Sequence, residues 1–187
     1  MGPDQEQWSK DLERLRPVLV LLARQNVNPR LWKDVDPSGV VQETLVEAIR
    51  GRDQFQGSGS PTLEKWIRRI LLNNLYDAVR KVHRDRRDVD REVPLAGAID
   101  ESTNRLRGQL AGEGPSPSAV AMVKEETLAL ASALVELEPS QRDAIELYHL
   151  QGRSLSEASA LLGKSESAVA ALLHRGLRRL KELLKER

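Results

Sequence analysis

The apolar residues near the start of the chain repeat with the period of an α-helix. Leucines three or four positions apart lie on one side of a helix, which we predict over about Gln5 to Gln25. This stripe contains Leu12, Leu15, Leu19 and Leu22. Pro17 lies within the stretch and is expected to kink or split the helix, because proline has no amide hydrogen and crowds the preceding turn.

Two further helices are predicted in the first half of the chain. Asp36 followed by Pro37 is typical of an N-cap and a first helical residue, and Gly51 is expected to end this helix. After a flexible loop at residues 53–60, a longer helix is predicted from Leu63 to about Arg86. Its core side is expected to carry Trp66, Ile67, Ile70, Leu71, Leu75 and Val79, and its opposite side Arg68, Arg69, Asn73, Asp77, Arg80 and Arg84.

The apolar periodicity fades between residues 88 and 118, where glycine and proline concentrate. We interpret this stretch as a flexible linker with one short helix near Glu101 to Leu110. The chain is therefore predicted to consist of a first domain at 1–90, a linker at 91–118 and a second domain at 119–187.

The second domain is predicted to contain four helices. The first covers about Ala119 to Val135, the second ends near Gly152, and the last runs from Glu166 to about Lys185. The two short helices between them are expected to start at capping boxes, in which a serine and a carboxylate three positions later satisfy backbone N–H groups. These boxes are Ser140 with Asp143, and Ser154 with Glu157.

The turn Gly163-Lys164-Ser165 between the last two helices indicates a helix-turn-helix, in which the first helix supports the second against the major groove of DNA. Ala158 and Ala168 are small enough to let the two helices approach closely. A helical hairpin with a glycine turn gives a similar pattern, so simple helix packing is the alternative. The buried side of the last helix is expected to carry Val169, Leu172, Leu173, Leu177, Leu180 and Leu184.

Composition favours an all-α protein and excludes several kinds of site. Aromatic residues make up 3% of the chain, and there is no cysteine, so thiolate metal sites are excluded. The three histidines are far apart, and no phosphate loop, nucleophile elbow or His-Glu-x-x-His motif occurs. We therefore expect no metal, no other cofactor and no enzymatic activity.

The chain also lacks the features of an exported or membrane-inserted protein. Its N-terminus does not have the basic and apolar regions of a signal peptide. The longest apolar run, Val18 to Ala23, is too short to cross a bilayer. We therefore expect a cytoplasmic protein without membrane insertion.

Charge is distributed unevenly, although the net charge is only +1. The segment 65–87 contains eight basic and two acidic residues, and the segment 164–187 contains seven basic and three acidic residues. Two basic segments separated by an acidic one predict two contacts with a polyanion. A solvated helix face is an equally good interpretation of either segment alone.

The order and spacing of these pieces resemble the extracytoplasmic-function (ECF) family of RNA polymerase sigma factors over nearly the whole chain. The first domain carries the resemblance in Val40-Val41-Gln42-Glu43-Thr44-Leu45, Phe55-Gln56-Gly57 and Trp66-Ile67-Arg68-Arg69-Ile70-Leu71-Leu72-Asn73. The second domain carries it in Leu137-Glu138-Pro139-Ser140-Gln141-Arg142, Leu150-Gln151-Gly152-Arg153-Ser154, Val169 and Arg175-Gly176-Leu177.

This resemblance implies an all-α fold of two small helical domains, a sigma region 2 bundle and a region 4 helix-turn-helix, joined by a flexible linker. It implies a protein that binds core RNA polymerase, recognises the −10 and −35 promoter elements and promotes transcription initiation. Core RNA polymerase and promoter DNA are the expected partners, and an anti-sigma factor is a further one.

The resemblance also implies which residues make each contact. Core polymerase binding is assigned to Val41, Gln42, Glu43, Leu45 and Ile49. Contact with the −10 element is assigned to Phe55, Gly57, Ser58, Arg68, Arg69, Asn73, Asp77, Arg80, Arg84 and Arg87. Contact with the −35 element is assigned to Ser165, Ser167, Ala171, His174, Arg175 and Arg178.

The sequence departs from the family pattern at a few positions. Gly39 stands where an acidic residue is usual, and Ala170 stands where Arg or Lys is common. The alternative function is a one-component helix-turn-helix regulator that binds duplex operators without polymerase. A third is a helical adaptor or anti-sigma-like protein with basic faces that meet acidic partners.

Overall fold

The computed structural model describes residues 3–55, 60–86 and 117–186. Every regular element in these ranges is helical, so the predicted all-α class is confirmed. The chain divides into two compact units, Met1–Val120 and Ala121–Arg187. Most of the predicted linker, with the short helix expected at 101–110, lies outside the described residues.

Residues 3–55 and 60–86 of the first unit contain three long helices: α1 (Pro3–Asn26), α2 (Pro37–Arg50) and α3 (Ser60–Arg86). Short 3₁₀ turns at Pro29–Leu31 and Arg52–Gln54 follow α1 and α2. Each of the three helices packs against the other two around one apolar core, whose removal from water is the main force stabilising the bundle. The most deeply buried residues of this core are Leu12, Leu19, Ala23, Val41, Leu45, Ala48, Ile67 and Leu71.

Pro17 was expected to kink or split the first helix, and the split is wrong, because α1 continues through it. Proline at this position removes the hydrogen bond that its amide would donate to the carbonyl of Glu13. The neighbouring Leu15 and Leu19 are buried against α2 and α3. Burial of leucine side chains at about 1.5–3 kcal/mol each can offset the cost of an interior proline, which is about 3 kcal/mol.

The predicted ends of α2 are confirmed. The carboxylate of Asp36 accepts a hydrogen bond from the amide of Ser38 at 3.0 Å, and Pro37 is the first helical residue. At the other end, the amide of Gly51 donates to the carbonyl of Glu47 at 2.7 Å. These bonds satisfy backbone groups that helix ends leave without intrahelical partners.

Four helices form the described part of the second unit: α4 (Pro117–Glu136), α5 (Pro139–Ile145), α6 (Leu155–Leu162) and α7 (Glu166–Lys185). A π-helical turn, Glu146–Leu150, continues α5. α7 packs against both α5 and α6. The core of this unit contains Ala131, Ala133, Leu134, Leu137, Ala144, Ile145, Leu147, Ala158, Val169, Leu172, Leu173, Leu180 and Leu183.

One of the two predicted capping boxes is present. The hydroxyl of Ser154 accepts from the amide of Glu157 at 3.2 Å, and the Glu157 carboxylate accepts from the amide of Ser154 at 2.8 Å. The box predicted at Ser140 is wrong, because α5 begins two residues earlier than that box requires. Glu138 is the N-cap instead, and its carboxylate accepts from the amide of Gln141 at 3.2 Å.

The predicted buried side of α7 is correct at Val169, Leu172, Leu173 and Leu180 but wrong at two leucines. Leu177 and Leu184 are 42% and 40% exposed, whereas Gly176 and Leu183 are buried. The buried positions follow the spacing of three or four that one helix face requires.

The close approach to α6 that was predicted through Ala168 is wrong at that residue, because Ala168 is exposed; Gly176 instead gives α7 a close approach to α5. A Cβ atom at Gly176 would lie 2.9 Å from Cδ1 of Ile145 in α5. Ala158, the other predicted contact, is fully buried.

Candidate nucleic-acid interface

The turn between α6 and α7 has the geometry of a helix-turn-helix. Gly163 adopts φ +62°, a left-handed conformation that glycine tolerates because it has no Cβ atom. The amide of Lys164 donates to the carbonyl of Ser159 at 3.1 Å, which closes the end of α6. Ser165 then caps α7, because its hydroxyl accepts from the amide of Ala168 at 3.2 Å. The turn therefore sets the direction in which α7 leaves α6.

The residues predicted to contact the −35 element are brought together on the outward side of α7. Their spacing places them on the side opposite the apolar core. Ser167, His174, Arg175 and Arg178 are exposed and Ala171 is half-buried. Ser165 lies at the start of the same surface, and its hydroxyl is 3.1 Å from that of Ser167.

Two arginines of α7 share one acidic neighbour. Arg178 Nε lies 3.5 Å from one carboxylate oxygen of Glu182, and Arg179 Nη1 lies 3.3 Å from the other. The arginine side chains are 79% and 50% exposed. Ion pairs this exposed contribute little stability, so either guanidinium can exchange the carboxylate for a phosphate at small cost.

A second polar surface follows the outward side of α3. Its members are three or four positions apart, which keeps them in one stripe along the helix. From Arg69 to Arg84 the stripe extends roughly 22 Å. Arg69, Asn73, Asp77, Arg80 and Arg84 are exposed, and Arg68 at its edge is half-buried. We call this set the α3 stripe.

Sequence reasoning missed one residue beside the α3 stripe. Tyr76 is 43% exposed and lies three residues after Asn73 and four before Arg80, so it is next to both on the helix surface. An exposed aromatic ring between amide and guanidinium groups can stack on an unpaired base. The helical spacing alone could have located this tyrosine.

Six of the ten residues predicted for the −10 contact belong to the α3 stripe. Three others, Gly57, Ser58 and Arg87, lie outside the described residues. Phe55 is described, and its ring packs against those of Trp8 and Trp66, with centroids 5.3 Å and 5.5 Å away. Because this aromatic cluster joins α1 to the start of α3, Phe55 has a packing role.

The residues predicted for core polymerase binding separate into two groups on α2. Val41 and Leu45 are 0% and 1% exposed and belong to the core, so they can support a contact but not make one. Ile49 is half-buried, whereas Gln42 and Glu43 are exposed. Of the residues predicted for this contact, Gln42 and Glu43 are therefore the two that a partner protein could readily touch.

Gln42 has a neighbour that sequence reasoning missed. Arg16 Nη2 in α1 donates to Gln42 Oε1 at 2.8 Å. The same guanidinium holds Glu13 through two bonds of 2.7 Å and 2.8 Å, and the Arg16 hydrogen bond keeps the pKa of the Glu13 carboxyl below its usual value. Arg16 and Gln42 are 26 residues apart, so no local pattern could have connected them.

A polar contact also joins α2 to α3. The amide nitrogen of Asn74 donates to Thr44 Oγ1 at 3.2 Å and to Glu47 Oε2 at 3.1 Å. Thr44 is fully buried and donates to the carbonyl of Val40 at 2.8 Å. The helix that carries Gln42 is therefore bonded directly to the helix that carries the α3 stripe.

In the described ranges, no cluster of histidine, cysteine, aspartate or glutamate could hold a metal ion. None of the helices described combines the length and apolarity needed to cross a bilayer.

Two family models match the chain, one in each unit. The model described as Sigma-70 region 2 matches residues 13–85, and the model described as Sigma-70, region 4 matches residues 127–180. The first range includes the exposed α2 pair and the α3 stripe, and the second includes the helix-turn-helix.

The curated proteins that are similar to this chain over most of its length include three RNA polymerase sigma factors. RNA polymerase sigma factor CnrH of Cupriavidus metallidurans is 32% identical over 151 residues, covering 81% of this chain and 74% of that protein. ECF RNA polymerase sigma factor SigF of Caulobacter vibrioides is 31% identical over 150 residues, covering 80% of this chain and 72% of that protein. ECF RNA polymerase sigma factor SigE of Mycolicibacterium smegmatis is 29% identical over 149 residues, and this chain spans 52% of its length.

Proposed function

The chain belongs to the RNA polymerase sigma factor family, as an ECF sigma factor that acts in transcription initiation, and on that premise we propose how its surfaces divide promoter recognition. Proteins of this family are not enzymes but transcription factors. We propose that this chain has no catalytic activity of its own and works in the cytoplasm, where polymerase and DNA are. The rival regulator and adaptor functions are not supported, because both sigma models match.

The α3 stripe is the proposed contact with the −10 element, bound as an unpaired strand. Guanidinium groups bind phosphates, whereas an amide such as that of Asn73 can pair with a base edge. Tyr76 supplies a ring on which a flipped base can stack, which offsets the few kcal/mol that unstacking costs. The juxtaposition of Asn73, Tyr76 and Arg80 on one exposed face is the observation that carries the proposal.

The outward side of α7 is the proposed contact with the −35 element. Its early residues are small, with Ser167 and Ala171 leaving room for a close approach to base edges. Ala171 can touch a thymine methyl group, and the later Arg175 and Arg178 are suited to phosphates. This arrangement favours affinity over detailed base recognition.

Gln42 and Glu43 are the proposed contacts with core polymerase. Both are exposed on α2, on a helix fixed by caps at each end and by the bond from Asn74. A rigid, polar site of this kind binds with little loss of conformational freedom. An anti-sigma factor stays a predicted partner on the resemblance alone.

The central experiment is reconstitution with core RNA polymerase, followed by run-off transcription on genomic fragments. The wild-type chain is expected to co-purify with core enzyme and direct initiation from discrete sites. Arg80→Ala with Arg84→Ala should abolish most initiation while leaving co-purification intact, because these residues are assigned to DNA. Lys81→Ala is the matched control, since this exposed basic residue lies about 100° around the helix from Arg80. Equal losses in both variants would contradict the stripe assignment.

A further inference from the structure

Every N–H group of Arg16 that faces Glu13 or Gln42 is hydrogen-bonded. Its Nε and Nη2 hold the two carboxylate oxygens of Glu13, and Nη2 also donates to Gln42 Oε1. The planar guanidinium is thereby fixed in orientation, because a bidentate bond leaves it little freedom to rotate. Glu13 and Arg16 are one turn apart on α1, so the pair is anchored to a helix rather than a loop.

The chemistry of arginine decides which end of the Gln42 amide faces it. A guanidinium has five N–H donors and no acceptor, so the amide must present its oxygen to Arg16. The NH2 group of Gln42 is then the end of the planar amide that does not face Arg16, and it keeps both hydrogens for another partner. The neighbouring residue on α2 is the exposed carboxylate Glu43.

We propose that Arg16 is a positioning residue for core polymerase binding, which holds the Gln42 side chain so that its NH2 group is presented to the polymerase. The inference rests on the proposed function of Gln42 and Glu43. It identifies the chemistry of the opposing surface: a carbonyl or carboxylate oxygen opposite Gln42. Without Arg16, Gln42 samples several rotamers, and the polymerase must then order it on binding.

The test is a double-mutant cycle on core polymerase affinity, measured with the full-length chain. Arg16→Ala is expected to weaken binding roughly two- to tenfold, the cost of ordering one long side chain. Gln42→Ala should weaken it at least as much. In the double variant, the Arg16 change should have no further effect, because its target is gone.

A second substitution tests which atom the polymerase recognises. Gln42→Glu keeps an acceptor for Arg16 and nearly the same shape, but removes the NH2 group. Affinity should fall to about the level of Gln42→Ala. Affinity equal to that of the wild type would overturn the claim that the NH2 group is the group presented.

A control variant and the remaining outcomes separate the inference from its premise. Lys10→Ala removes an exposed α1 ion pair with Glu6, 2.8 Å long, that does not involve Gln42, and it should leave affinity unchanged. If Gln42→Ala has no effect, the proposed function of Gln42 fails and the inference fails with it. The inference alone is overturned if Gln42→Ala weakens binding but Arg16→Ala does not. It is also overturned if the losses of the two single variants add up in the double variant.

Discussion

Two adjacent asparagines on α3 have different environments and different expected roles. Asn73 is exposed and belongs to the α3 stripe, whereas Asn74 points toward α2 and donates to Thr44 and Glu47. Neighbouring residues on a helix are about 100° apart, so one can meet DNA while the other holds two helices together. Substitutions at the two positions should therefore affect different properties.

Asn74→Asp is expected to destabilise the first unit by about 1–2 kcal/mol, because a carboxylate replaces the donor that faces Glu47. Chemical denaturation at neutral pH measures this loss. Asn73→Asp is the control and should leave the denaturation midpoint within experimental error. If both variants unfold at the wild-type midpoint, the Asn74 contact does not contribute to stability.

Tyr76→Ala is expected to weaken binding of the unpaired −10 strand by about 1–3 kcal/mol, the usual contribution of one stacked base. Tyr76→Phe keeps the ring and should retain wild-type affinity. The measurement is binding of holoenzyme to a promoter fragment with a preformed bubble, which removes the cost of melting. A loss of equal size in Tyr76→Phe would point to the hydroxyl group instead of stacking.

For individual residues, the sequence predicts site positions best where the exposure of a side chain follows from helical spacing. Asn73 and the exposed arginines of α3 were found in this way, whereas Gln42 was assigned by the family resemblance. The packing role of Phe55 was missed, because its packing against Trp8 depends on how a turn after α2 meets the start of α1. Arg16 and Tyr76 were also missed, the first because its partner is distant in sequence and the second because aromatic residues on a helix usually face the core.

At the scale of elements, the start of α6 depends on one reciprocal cap. Ser154 and Glu157 satisfy each other's backbone amides, and the hydrogen bonds from Ser154 hold the pKa of Glu157 below its ordinary value of 4.5. A carboxyl whose pKa is lowered in the folded state adds stability above its unfolded pKa. That contribution to stability is lost as the pH falls through the pKa of the carboxyl in the folded state. The cap should therefore weaken in acid.

Ser154→Ala is expected to cost about 1 kcal/mol at neutral pH, the typical effect of removing an N-cap hydroxyl. Glu157→Gln should be less stable than the wild type at neutral pH, and the stability difference between the two should shrink as the pH falls below 4.5 and through the lowered folded-state pKa of Glu157. Urea denaturation at several pH values measures both. Ser156→Ala, an exposed serine in the same turn, is the control. If the stability difference between Glu157→Gln and the wild type stays the same across the pH range, the charge of Glu157 does not stabilise the cap.

The boundaries of the elements were predicted where one local signal decides them. Asp36 with Pro37 starts α2, and the glycine at 163 ends α6, as expected. The split at Pro17 and the capping box at Ser140 were wrong predictions, because each outcome depends on competing interactions. Burial of flanking leucines keeps α1 continuous, and Glu138 competes successfully with Ser140 for the cap of α5.

At the scale of the whole molecule, each unit has its own apolar core. The core of the first unit comes from α1, α2 and α3, and that of the second from α4 to α7. The sequence predicted two domains from the loss of apolar periodicity between them. Their mutual arrangement cannot be predicted from local patterns, because periodicity reports which face of a helix is buried and not where a separate unit lies.

A fragment of residues 119–187 is expected to fold alone and to bind duplex −35 DNA more weakly than holoenzyme does. The buried apolar residues of α4 to α7 form a core within this fragment, so circular dichroism should show a helical protein that unfolds cooperatively. The fragment 1–91 should likewise stay helical and retain core polymerase binding. Loss of helical content in either fragment would mean that the units depend on each other.

The two units are expected to contribute unequally to the recognition of one promoter. α3 presents an amide and an aromatic ring among its arginines, whereas the outward side of α7 begins with small side chains and continues with arginines. Specificity should therefore depend mainly on the −10 side. Asn73→Ala should change which −10 sequences are melted, at a cost of roughly 1–3 kcal/mol of discrimination. Arg178→Ala or Arg179→Ala should weaken all promoters about equally and reduce the salt dependence of binding.

Open-complex formation on a randomised promoter library, at two salt concentrations, measures both effects together. Phosphate contacts release counterions whatever the sequence, so the loss for each arginine variant should be uniform across the library and smaller at high salt. A base contact affects only the sequences that offer its partner, so the loss for Asn73→Ala should be confined to a subset and persist at high salt. If Asn73→Ala leaves the −10 preference unchanged while Arg178→Ala alters the −35 preference, base recognition resides on α7 and the division proposed between the two units is reversed.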